Sequence, residues 1–358
     1  MYDFSGLTAS IHSWLSGRLS SAGVTLAEMA LAGMAVLMFF VVLGIVLVYM
    51  ERKVSAFMQL RLGPNRVGPK GTLQAIADTI KLLLKEGFTP KSADKLLFNL
   101  APFIVITVSM LALAPMPFAR GLQVYDINIG VFYISAVSSI SVIGVLMAGW
   151  ASNNKYSLLG AMRSGAQIVS YELSAGLSLV AVTALAGSMS LTDIVQSQAD
   201  GWWIFKGHIP AIIAFVIFII ASTAELNRAP FDMAEAESEL TAGFHTEYTG
   251  MRFAMFFLAE YVNMFILCGV GATLFLGGWM PLHFGHLNAF NTFMDYIPSP
   301  VWFLGKTFFL IFIIMWFRWT FPRLRIDQLL ALEWKYLMPI SLFNILLVAA
   351  VVIAGWHF

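Results

Sequence analysis

The sequence predicts an all-α polytopic membrane bundle of about eight transmembrane helices plus an amphipathic surface helix, with both termini on the outer (periplasmic) side. Three observations predict it. First, 59% of the 358 residues are hydrophobic and only 11% are charged, with a mean hydropathy of +0.80. A soluble domain carries about 25% charge, so lipid must be the main solvent here. Second, the apolar residues form long continuous runs. A bilayer admits only helices or closed barrels, because unpaired backbone groups cost several kcal/mol there. Barrels read as short alternating segments instead. Third, lysine and arginine fall on one side of the alternation, which sets the orientation.

At roughly 20 apolar residues per crossing, the spans fall at about 26–50, 97–118, 129–150, 166–187, 209–226, 252–277, 301–320 and 337–356. Residues 1–358 read as a single integral membrane domain. Residues 1–25 are polar and mixed, with Asp3, His12 and Arg18. They lack a basic head followed by a short apolar core, so no cleavable signal peptide is expected. The run from Met29 to Met50 then inserts as a signal anchor. The fourth span carries Glu172, the fifth runs into Glu225, and the sixth carries Glu260. The single cysteine, Cys268, lies inside an apolar run and reads as a small buried hydrophobe. It has neither a disulfide partner nor the CxxC spacing of a zinc or iron–sulfur site, and no metal site is expected. His283 and His286 read as surface residues of an outer loop.

Charge placement follows from these spans. Lys and Arg number nine at 51–95, two at 151–165, two at 224–252 and four at 318–336. Only Arg18, Arg120 and Lys206 fall in the opposite segments. The excess marks the inner side. Lys306, inside the seventh span near its outer end, reads as a snorkelling side chain.

The inner loops hold the chemistry. In the first, LGPNRVGPKG packs Gly63, Pro64, Gly68, Pro69 and Gly71 into a turn-rich segment. Thr72 is placed to cap a helix over about 72–86, ending near Gly87. Leu73, Ile76, Ala77, Ile80, Leu83 and Leu84 form its apolar face, opposite Gln74, Asp78, Lys81 and Lys85. Such a helix lies at the membrane surface. In the third loop, Asp232, Glu235, Glu237 and Glu239 fall within eight residues, between Glu225 and Glu247. Asp232, Glu235 and Glu239 share the spacing of one helical face. Carboxylates ~6 Å apart repel by roughly 3 kcal/mol at an effective dielectric of ~20. The loop is therefore expected to share protons near neutral pH. A plain solvated acidic loop is the alternative. Glu172 and Glu260 lie about eight or nine residues from the inner ends of their spans, ~12 Å deep. Ionisable groups at that depth are functional candidates, with an interhelical hydrogen bond as the structural alternative. In the last inner loop, Arg318, Arg323 and Arg325 sit at the membrane face beside Trp316 and Trp319.

Three strings carry a family resemblance. MERKVSAFMQLRLGPNRVGPKG, AELNRAPFDMAEAESELTAGFHTEY and FPRLRIDQL resemble signatures of the H-subunit family of NADH:quinone oxidoreductase, respiratory complex I. The resemblance covers nearly the whole chain, except for the first 25 residues. It implies a membrane subunit that forms the entrance and lower part of a quinone chamber, with Glu51, Arg52, Phe57, Arg61, Asp78, Phe231, Arg323 and Arg325 lining it. Glu51 and Arg52 match the family's acid–base pair. It further implies a proton path through Glu172, Glu225, Asp232, Glu235, Glu237, Glu239 and Glu260. Quinone is then a substrate, and the chain itself binds no cofactor. FMN and iron–sulfur clusters are expected on partner subunits, so no complete catalytic site is expected in this chain. The implied partners are peripheral-arm quinone-site subunits, small membrane-arm subunits leading to the antiporter-like ones, quinone and lipid, with no nucleic acid.

Two other readings fit the residues. An ion-coupled transporter also uses buried acids, yet the sequence shows no internal repeat. A paralogous subunit of a membrane-bound hydrogenase shares the architecture. A bacterial plasma membrane is the expected location, ahead of the mitochondrial inner membrane.

Overall fold

The computed structural model describes residues 5–233, 237–283 and 288–355. Among them, eight helices are long and apolar enough to cross a membrane, and no strand is present. The chain runs through α1 (Ser5–Ser16), α2 (Ser21–Met58), α3 (Gln74–Leu84), α4 (Lys95–Ala112), α5 (Gly130–Ala151), α6 (Lys155–Ala186), α7 (Leu191–Gln196), α8 (Trp203–Lys206), α9 (His208–Glu225), α10 (Glu237–Leu240), α11 (Gly250–Phe275), α12 (Asn288–Asp295), α13 (Ser299–Thr320), α14 (Ile326–Leu332) and α15 (Met338–Ile353). A π-helical turn, Glu333–Leu337, joins the last two into one crossing, Ile326–Ile353.

Two spans differ from the sequence expectation in a way that matters for the site. Helix α2 does not stop at residue 50. Its 38 residues make it ~57 Å long, well beyond the ~30 Å hydrocarbon core. Glu51, Arg52 and Phe57 are therefore helical rather than part of a loop. Polar residues can continue a helix once it leaves lipid, so a hydropathy window ends too early. Helix α6 likewise starts at Lys155, not at 166, with Asn154 capping it by accepting from the Tyr156 N–H at 2.9 Å. Glu172 is then seventeen residues into the helix, ~26 Å along its axis from Lys155.

Thr72 does not cap α3. The helix starts at Gln74 with Leu73 as its cap residue and ends at Leu84. The turn-rich segment before it is held by backbone geometry. Gly71 has φ +80°, and a Cβ there would lie 2.1 Å from the Pro64 carbonyl oxygen, so only glycine fits. At its start α4 is capped by Asp94, which accepts from the Leu96 and Leu97 N–H groups at 3.0 and 3.3 Å.

The helices pack through small residues, as membrane helices do in the absence of a hydrophobic drive between them. At Gly149 a Cβ would stand 2.3 Å from that of Ala161, so α5 and α6 approach backbone to backbone. The core centres on α11, whose Phe265 meets Phe39, Phe118 and Phe303 in edge and stacked ring contacts. Cys268 is buried in that core. Lys306 does not snorkel. It is buried, donates to the Gly278 and Met280 carbonyls at 2.9 and 2.6 Å, and stands over the Trp202 ring. His283 pairs with Asp295 at 3.3 Å, and His286 lies outside the described residues.

Candidate functional site

Helix geometry sends neighbouring residues in different directions. Successive positions on a helix differ by about 100°, so Glu51 and Arg52 at the end of α2 diverge. They do not pair with each other. Glu51 turns into the bundle and Arg52 turns towards α3.

Glu51 meets three cationic or phenolic neighbours from distant segments. Arg228, in the segment after α9, donates to both Glu51 oxygens at 2.8 and 2.7 Å. Arg318, on α13, donates to Glu51 Oε1. Tyr261, on α11, also hydrogen-bonds it. Arg228 reaches further, placing Nε 2.7 Å from Glu260 Oε1 and its guanidinium 4.7 Å from the Tyr261 ring centre. The group therefore holds two carboxylates and two guanidinium groups, balanced in charge. Glu51 is 7% and Arg228 3% exposed. Burial works against the Arg228 charge, and the Glu260 and Glu51 carboxylates more than offset it, so its pKa lies well above the usual arginine value. Such charges survive burial only when paired and hydrogen-bonded.

Arg52 donates to Asp78 at 2.5 Å, with Lys81 and Gln74 on the other oxygen at 3.4 and 3.3 Å. This ties the amphipathic helix to α2. Burial pushes the Asp78 carboxyl up, but the Arg52 bond and charge outweigh it and hold the pKa below the ordinary value. Such a group stabilises the contact above its unfolded pKa and loses that effect as pH falls through the folded one. Asp78→Asn is expected to weaken the α2–α3 contact by about 1 kcal/mol. Faster hydrogen exchange across 74–84 checks this, and unchanged exchange would refute it.

Of the third-loop acids, the two whose side chains are described, Asp232 and Glu239, do not share a helical face. Asp232 precedes α10 and lies outside any helix, 3.4 Å from Arg323. Glu239 is on α10 and bonds Arg163 of α6 at 2.8 Å. The Arg163 hydrogen bond and charge hold the Glu239 pKa below its usual value. Glu235 lies outside the described residues, as does the side chain of Glu237. Separate arginines thus neutralise Asp232 and Glu239. Glu225, at the end of α9, has a different partner. It interacts electrostatically with Glu172, and adjacent serines of α5 serve the two: Ser139 donates to Glu172 and Ser138 bonds Glu225. This carboxylate pair forms no ion pair among the described residues.

Phe231 is buried, 5.5 Å from the Tyr171 ring centre. Its carbonyl accepts from Gln167 at 2.7 Å. The Leu324 N–H donates to the Pro230 carbonyl at 3.1 Å, joining the third loop to the last. Phe57, Arg61 and Arg325 are exposed and stand apart from the buried cluster.

Sequence reasoning missed several members. Arg228 counted only as loop charge, although a lone arginine between Glu225 and the acidic run is a signal. His245 was not singled out. It is half-buried against the Phe244 and Phe253 rings. Burial lowers its pKa, against the opposing pull of Glu260 and Asp232.

A family model described as NADH dehydrogenase matches residues 31–349. The H subunit of the NADH-quinone oxidoreductase of Bacteroides thetaiotaomicron is 57% identical over 358 residues, all of both chains. That of Bacteroides fragilis (strain ATCC 25285) is 56% identical over the same extent. That of Brevibacillus brevis is 52% identical over 320 residues, 89% of this chain and 92% of the relative. These matches run through the segments that build the buried cluster, and the chain belongs to the H-subunit family of NADH-quinone oxidoreductase, a membrane component of that multisubunit complex.

Proposed function

We propose that this chain forms the entrance and lower part of the quinone chamber and couples quinone reduction to proton transfer through its buried carboxylates. The observation that carries the proposal is the Glu51–Arg228–Glu260–Arg318 cluster. Its buried Glu51–Arg228 core sits where α2, α11, α13 and the third loop converge, with Glu260 and Arg318 partly exposed at its edge. A balanced cluster of this kind answers a change of charge nearby by repartitioning its bonds, because its buried core is only weakly screened. The exposed apolar surface at the end of α2, including Phe57, and the apolar side of α3 suit an isoprenoid tail arriving from lipid. Arg61 and Arg325, exposed in the first and last loops, suit the mouth. Glu172 and Glu225 then take the next place along the proton route, with Asp232, Glu239 and the undescribed Glu235 and Glu237 beside it.

In this reading the electrons arrive from FMN and iron–sulfur clusters on partner subunits, and the chain itself holds no cofactor. The peripheral arm docks on the inner-loop face, and small membrane-arm subunits receive protons laterally. The lysine and arginine bias supports a cytoplasmic location for that face in a bacterial plasma membrane, with both termini outside. A photoreactive quinone analogue tests the reading in the intact complex. Labelling should concentrate in peptides containing Phe57, Arg61 or Phe231 and be displaced by excess quinone. Displaceable labelling that bypasses this chain would overturn it.

A further inference from the structure

One face of α6 carries a buried polar seam that the carboxylate pair does not use. Ser164, Gln167, Tyr171, Ser174 and Ser178 recur at the spacing of a single helical face, and all are buried. Each has a bonded partner. Ser164 donates to Asn227 Oδ1 at 3.3 Å, and Gln167 to the Ala224 and Phe231 carbonyls at 2.7 Å each. Tyr171 donates to the Leu329 carbonyl at 2.9 Å, and Ser178 to the Ser174 carbonyl at 2.9 Å. Ser174 donates to Glu333 Oε1. From Ser164 to Ser174 the seam rises ~15 Å along the helix. It starts at the third loop and ends at a carboxyl group.

Glu333 is 1% exposed. Its second oxygen is buried and has no hydrogen-bond partner among the described residues. It opens the π-helical turn Glu333–Leu337, a rare geometry that concentrates at functional sites. No arginine or lysine forms an ion pair with it among the described residues. The groups around it are few. Tyr171 and Ser174 face it from α6. The α9 residues of the same core, Ile217, Ala221 and Ala224, are apolar. Lys335 on its own turn is exposed.

We propose that Glu333 is a further proton-exchanging group of this chain, seated at the end of the α6 seam opposite to the third loop. A proton on Oε2 cancels the charge. Its release leaves an anion supported by the Ser174 hydroxyl. The proton arrives from hydronium, which leaves as water, and on release returns to water as hydronium, so one O–H bond forms as another breaks. The inference rests on the proposed coupling, because quinone reduction supplies the change of charge that the seam reports. It places protonatable chemistry on both sides of α6: Glu172 with Glu225 on one, Glu333 on the other.

Infrared difference spectroscopy of the intact complex, oxidised against NADH-reduced, tests it. Wild type should show a protonated-carboxyl carbonyl band that changes on reduction. Glu333→Gln should remove that band, and Ser174→Ala should shift it by withdrawing the hydroxyl donor. A merely structural carboxyl gives no such band. Identical spectra for assembled wild type and Glu333→Gln overturn the proposal. If Glu333→Gln does not assemble, Ser174→Ala decides alone, and an unshifted band overturns it. Failure of the chamber reading looks different: quinone photolabel misses this chain whatever the infrared result.

Discussion

Arg228→Leu is expected to be the most damaging single change in the chain. The substitution removes the guanidinium that bridges Glu51 and Glu260. Glu51 keeps Arg318, whose side chain is partly exposed, while the bridge to Glu260 is lost. Breaking a buried pair by removing one partner costs about 3–5 kcal/mol, because an uncompensated charge remains. For a large chain that corresponds to a fall in thermal midpoint on the order of 10 °C. Arg228→Lys should recover little, since an ammonium cannot span two carboxylates as a planar fork does. Arg228→Leu combined with Glu51→Gln should recover part of the loss, as the second change removes the buried carboxylate that Arg228 neutralises. Thermal inactivation of NADH:quinone reductase in isolated membranes measures all three. Equal midpoints for wild type and Arg228→Leu would show that the cluster does not hold the inner ends of α2 and α11 together.

Arg228 also marks the limit of the sequence. The eight crossings are legible because a hydrocarbon solvent imposes one pattern on every segment that spans it. The amphipathic helix is legible because its two faces separate by composition. What hydropathy does not record is where a helix stops once it has left lipid. That is why the last turns of α2 and the first turns of α6 read as loop. Pairings are less legible still. Glu51 is followed directly by an arginine, yet its partners lie 177 and 267 residues away. Local spacing predicts a shared acid cluster in the third loop, but Arg163 and Arg323 arrive from other segments and divide it. Glu333 carries no signal at all, because an acid next to Trp334 and Lys335 reads as interfacial until the π turn faces it inwards.

The second large effect is expected at the carboxylate pair. Glu172 and Glu225 come from different helices and meet over Ser138 and Ser139. Like charges held together in a buried site repel, the more strongly the lower the effective dielectric. One proton placed between them removes that repulsion, and no arginine among the described residues competes with it for the role. Neighbouring carboxylates of this kind are coupled, so a change at one is felt at the other. Glu225→Gln keeps shape and hydrogen-bonding capacity while fixing one member as neutral. It is expected to slow coupled quinone reduction by about a hundredfold, the lower side of what a positioned proton-transfer group contributes. NADH oxidation by artificial acceptors, carried out by the partner subunits, should continue at its normal rate. Glu172→Gln should resemble it, and the double variant should be scarcely worse than either single one, since neighbours that act together are not additive. A loss in the double variant equal to the product of the two singles would mean that the acids work independently. Wild-type coupling in Glu225→Gln would remove the pair from the proton route altogether and leave the response to the quinone to the Arg228 cluster.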